Sequence, residues 1–131
     1  MDVSKEDELC FISIREALQV VSGKWSFLVL SILTQGPQRF NQLRRNVERI
    51  SIKSLTDVLR HLEQHNVIQR QVFPTVPVTV EYSLTDKGRA YKPVLLQMRI
   101  WGETWGAHQK LGDVPEAIGP HYAASDRIAE P

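Results

Sequence analysis

Ser51, Lys53, Ser54, Thr56 and Arg60 place three hydroxyls and two long cations within ten residues of one another. Small hydroxyls exchange hydrogen bonds with base edges and phosphate oxygens, and a long cation reaches a phosphate or the edge of a guanine. The pattern suits a partner that presents negative charge and hydrogen-bonding edges together, namely nucleic acid. Arg39, Arg44, Arg45 and Arg49 precede this stretch and Arg70 follows it, spaced to position a phosphate backbone rather than to read sequence. The formal net charge of +1 conceals this concentration: residues 36–92 hold ten Lys/Arg against five Asp/Glu, and the flanks hold six against ten. By charge alone the same residues would serve as the solvated face of an amphipathic helix.

Other chemistry-bearing residues lead less far. His61 and His65 stand four apart, the spacing of a metal-binding pair on one helix face, but no cysteine or third histidine lies nearby. We therefore expect no metal. The chain carries no GxGxxG, phosphate-binding loop, HExxH or convincing nucleophile–base set, so neither an enzyme nor a cofactor is expected. Cys10 is the sole cysteine and has no internal partner for a disulfide, which points to the reducing cytoplasm. The acidic start MDVSKEDELC lacks the features of a secretory leader, and no apolar run approaches the roughly 20 residues that span a bilayer. No membrane partner is expected.

The elements that must position these residues follow from periodicity. Residues 1–12 read as a polar N-terminal arm, although CFISIREALQVVS (10–22) already has helical spacing through Ile14, Leu18 and Val21 before Gly23. KWSFLVLSILT (24–34) is almost continuously apolar and must be buried on most sides, up to Gly36-Pro37. RFNQLRRNV (39–47) is a short amphipathic helix with Phe40, Leu43 and Val47 on its apolar side. After a turn at Glu48-Arg49-Ile50, Ser51 caps a helix over about 51–65, with an expected apolar stripe of Ile52, Leu55, Leu59 and Leu62 and with Asn66 as terminator.

The period then changes from helical to alternating. VIQRQVF and VTVEYSL form a hairpin within 67–84, with Pro74 and Pro77 in its loop. Thr85-Asp86 opens a last helix over 86–109, broken near Pro93 and carrying Met98, Trp101 and Trp105. Residues 110–131 read as a flexible tail. The class is mainly α with a small β-hairpin: a winged helix-turn-helix at 13–109 with added terminal helices. In that arrangement the helix from Ser51 enters the major groove of double-stranded DNA and the hairpin is the wing.

Four stretches, GKWSFLVLSIL (23–33), GPQRFNQLRR (36–45), ISIKSLTDVLRHLEQHNVIQR (50–70) and PTVPVTVEYSLTDKGR (74–89), with a closing WG-x-x-W, resemble the HxlR-type transcriptional regulators over roughly residues 13–107. The resemblance implies a sequence-specific DNA-binding regulator. It further implies a homodimer formed through the N- and C-terminal helices, here through Ile14, Leu18, Met98, Trp101 and Trp105, on a roughly palindromic operator. Many members carry a redox-sensing cysteine near the N-terminus. Cys10 stands two residues before the family position, which falls near Ile12, and it lacks the following proline. An oxidant acting at Cys10, or an effector bound beside the tryptophans, is the signal to test. The alternative function is a winged-helix module that contacts protein without binding specific DNA.

Overall fold

The computed structural model describes residues 4–106. The tail expected at 110–131, the end of the last helix beyond 106 and the first three residues of the arm lie outside the described residues.

The polar arm expected at 1–12 is instead helical from its fifth residue. Helix α1 spans Lys5–Val20. The Ser4 hydroxyl oxygen accepts the Asp7 amide at 3.2 Å, and Glu6, Asp7 and Glu8 fill the first turn, where carboxylates complement the helix dipole. The cap and the acidic turn outweigh the polarity that suggested an arm. Beyond α1, Gly23 takes φ +86°, a left-handed conformation that turns the chain into α2. Helix α2 (Ser26–Leu33) buries seven of its eight residues, as its apolar run requires; Phe27 is the one that faces outward.

Strand β1 (Gln38–Arg39) follows, then helix α3 (Phe40–Asn46) and helix α4 (Ile52–Gln64). Arg49 lies in the α3–α4 turn at φ 69°, and Asn66 ends α4 at φ 60°, the left-handed geometry expected of it. Strands β2 (Ile68–Phe73) and β3 (Thr79–Leu84) form the hairpin. The expected two strands are three in fact: β1 pairs antiparallel with the free edge of β3, in the order β1-β3-β2. Gln38 opposes Tyr82, and Arg70 opposes Tyr82 from the other side. The long last helix is divided into α5 (Asp86–Arg89) and α6 (Lys92–Trp105). Pro93 sits in the first turn of α6, where its missing N–H costs nothing.

The core lies where α2, α3, α4 and the sheet meet, around the fully buried Leu30, Leu33, Leu43, Leu55, Leu59, Leu62, Val29, Val47 and Val67. The α5 turn is packed closely onto it: a Cβ placed on Gly88 would sit 1.9 Å from the carbonyl oxygen of Val67, so only glycine fits. From α1 and the residue after it the core receives Ala17, Val20 and Val21. Ile14 and Leu18 remain exposed, as do Met98, Trp101 and Trp105 of α6. Tyr91 joins the two terminal helices: its hydroxyl donates to the Ala17 carbonyl at 2.6 Å, and burial pushes its pKa above the ordinary 10.0.

Candidate nucleic-acid interface

Helix α4 divides cleanly between core and solvent. Leu55, Val58, Leu59 and Leu62 are buried, and Lys53, Asp57 and Arg60 are exposed. The expected stripe is corrected at one end. Ile52 continues the spacing but is 55% exposed, because it falls on the flank of the face centred on Leu55 and Leu62, whose other side is filled by the buried Val58. At the start of α4 the Ser51 hydroxyl oxygen accepts the Ser54 amide at 3.0 Å, the N-cap that its type predicts. Ser51 Oγ also donates to Ser54 Oγ at 3.0 Å, and Thr56 Oγ1 donates to the Ile52 carbonyl at 2.8 Å. Lys53 Nζ lies 3.3 Å from Asp57 Oδ2 with the lysine side chain 88% exposed. An exposed pair of this kind contributes at most about 1 kcal/mol, so it holds Lys53 only weakly.

Arg60 and Arg70, ten residues apart and on different elements, meet at one cavity of about 310 Å³ between α4 and the sheet. Thr56, Leu59 and Glu63 of α4, Phe40 of α3 and Tyr82 of β3 complete its walls. Of the expected contacts the structure thus brings together Thr56, Arg60 and Arg70. Phe40, Glu63 and Tyr82 were not foreseen there, since the β-register that delivers Tyr82 opposite Arg70 leaves no local sequence signal. Arg44 and Arg45 are exposed in the last turn of α3, and Arg49 is exposed in the turn before Ser51. Arg39 stands apart. It opposes Glu81, one step along from the Gln38–Tyr82 pair, so the pleat turns it to the face opposite Arg70.

The histidines couple helices. His61 donates from Nε2 toward the carbonyls of Gln19 (2.9 Å) and Val20 (3.1 Å) at the end of α1. His65 Nδ1 lies 3.5 Å from Glu16 Oε1. Both tie the exposed-faced α1 to the back of α4. Cys10 is exposed on α1. No helix among the described residues is long and apolar enough to cross a membrane.

A short helix, a turn and an amphipathic second helix with an antiparallel wing behind it form a winged helix-turn-helix. The family model for HxlR-like helix-turn-helix proteins matches residues 20–110. The chain belongs to this family. HxlR-like relatives include an uncharacterised HTH-type transcriptional regulator of Methanothermobacter thermautotrophicus, 39% identical over 109 residues, covering 83% of this chain and 82% of that protein. The oxidised form of the redox regulator HypR superposes with a TM-score of 0.66 at 37% identity, over 76% of this chain and 99% of that one. Quinone-bound YodB of Bacillus subtilis gives 0.63 at 31% identity, over 71% and 97%. This HxlR-like protein is a DNA-binding transcriptional regulator of the winged helix-turn-helix class.

Proposed function

We propose that the protein acts as a homodimer on a roughly palindromic operator, each protomer placing α4 in a major groove. The observation that carries this is the division of α4, whose apolar side is spent on the core while Lys53 and Arg60 stand outward. Ser51, Ser54, Thr56 and Arg60 face base edges or phosphates. Arg44, Arg45 and Arg49 hold backbone, and Arg70 holds it from the wing side; Arg39, on the other face of the sheet, would reach backbone only apart from this group. The exposed apolar side chains of α1 and α6 supply the self-association that a two-fold operator requires. Genomic fragments selected on the protein, then titrated by fluorescence anisotropy with excess competitor DNA, test the proposal. Binding that survives competitor with two protomers per fragment supports it. An empty selection sinks it in favour of a protein-contact module.

Lys53→Ala should reduce the slope of log affinity against log salt by about 1, the effect of losing one phosphate contact. An unchanged slope removes Lys53 from the backbone contacts.

The signal we propose enters at Cys10. Its thiol is exposed on a helix whose apolar face is unpartnered in one chain, so oxidation or an electrophile's adduct there would disturb the subunit contact and, through Gln19 and Val20, the seat of His61 on α4. HypR is described as a redox regulator, and YodB is known with quinone bound. Cys10→Ser should abolish the response of DNA binding to diamide and quinone. A mutant that responds like the wild type rules Cys10 out.

A further inference from the structure

We propose that Ile52 reads a thymine through its C5 methyl group, so that one A·T pair in each half-site is specified by apolar contact. This rests on the placement of α4 in the major groove.

The side chains whose types suggest base reading at the start of α4 are largely occupied by the helix itself. Ser51 spends its hydroxyl proton on Ser54 Oγ and its acceptor on the Ser54 amide. Thr56 spends its proton on the Ile52 carbonyl. Lys53 is drawn toward Asp57. Ile52 is the apolar side chain of this turn, with more than half of its surface exposed.

Ile52, Thr56 and Arg60 follow one another at intervals of four, a single face of the helix that runs from apolar to cationic. Its cationic end opens into the cavity shared with Arg70. The stripe therefore lies on the side of α4 that meets DNA if Arg60 and Arg70 meet its backbone. Of the four base edges in the major groove, only thymine presents a methyl group; the others present donors and acceptors that an apolar side chain would desolvate without replacing. An exposed isoleucine at this position is thus rewarded at thymine and penalised elsewhere.

The test uses the full chain and an operator obtained by genomic selection. Each thymine is replaced in turn by deoxyuridine, which removes the methyl and nothing else. The wild type should lose affinity about fourfold at one thymine per half-site, the factor that burial of one methyl group is worth. Ile52→Ala should bind about that much more weakly and be indifferent to the same replacement, while Ile52→Val should keep the sensitivity. Because Ile52 lies outside the buried core, the variants should unfold close to the wild type. A wild type insensitive at every thymine overturns the proposal, as does an alanine variant with the wild-type pattern of sensitivity; Ile52 is then an ordinary exposed side chain on a helix that still binds specifically. If no fragment is bound against competitor, the proposal falls together with the placement of α4.

Discussion

Helices α2 and α6 are both rich in large apolar side chains, yet α2 buries seven of its eight residues and α6 buries none. The difference is not one of residue type. Leu28, Leu30 and Leu33 of α2 are surrounded by α3, α4 and the sheet of the same chain, whereas Trp101 and Trp105 of α6 remain 67% and 74% exposed. Helix α1 with the residue after it repeats the pattern, giving Ala17, Val20 and Val21 to the core and leaving Phe11, Ile14 and Leu18 outside. Two tryptophans in water forgo several kcal/mol of burial that a second surface would recover. The comparison teaches that, among the described residues, the winged-helix body buries its apolar side chains and the terminal helices leave theirs exposed, which is where the proposed self-association would act.

The largest effect should follow from breaking the buried side. Leu30→Ala empties a fully buried position and should destabilise the fold by about 2–5 kcal/mol, measured by urea unfolding. On the exposed side, Trp101→Ala combined with Trp105→Ala should weaken self-association by about 2 kcal/mol or more, roughly thirtyfold, in sedimentation equilibrium. A double variant that associates normally but unfolds like Leu30→Ala would dissolve the distinction.

The smallest effect lies at the joint between the two sides. Tyr91→Phe removes the hydrogen bond to Ala17 that anchors the start of α6 to α1, and should cost about 1 kcal/mol. The raised pKa of Tyr91 fixes the pH dependence: its neutral form is favoured by the fold, so this contribution is intact below pH 10.0 and is lost as pH rises through the higher folded value. The gap between wild type and Tyr91→Phe should accordingly narrow in alkaline urea titrations. A constant gap would mean that the hydroxyl is not the anchor.

What the sequence alone made legible is what depends on neighbours a few residues away. Helix α4 announced itself by its stripe and by Ser51, and α2 by an apolar run that no surface helix would carry. The wing followed from the change of period, and the break before α6 from Pro93. The motifs added what spacing could not, the family and with it the function. Missed elements had physical reasons. Ser4 and Asp7 carry a legible cap, but the polarity of the first nine residues masked it. Strand β1 has two residues and exists only because β3 offers an edge. Ile52 fits the stripe by arithmetic but sits on its flank, where the buried face turns toward Val58 instead. The meeting of Arg60 with Arg70, and of His61 with the end of α1, depends on tertiary packing that no local pattern encodes.

The most direct measurement is a methylation-protection footprint of the protein on an operator selected from genomic DNA, read at guanine N7 in the major groove. Two α4 helices related by a two-fold axis should protect two symmetric major-groove segments about ten base pairs apart, or a multiple of that spacing. A single protected segment, or no protection at guanine N7 on a fragment that is still bound against competitor, would contradict the account.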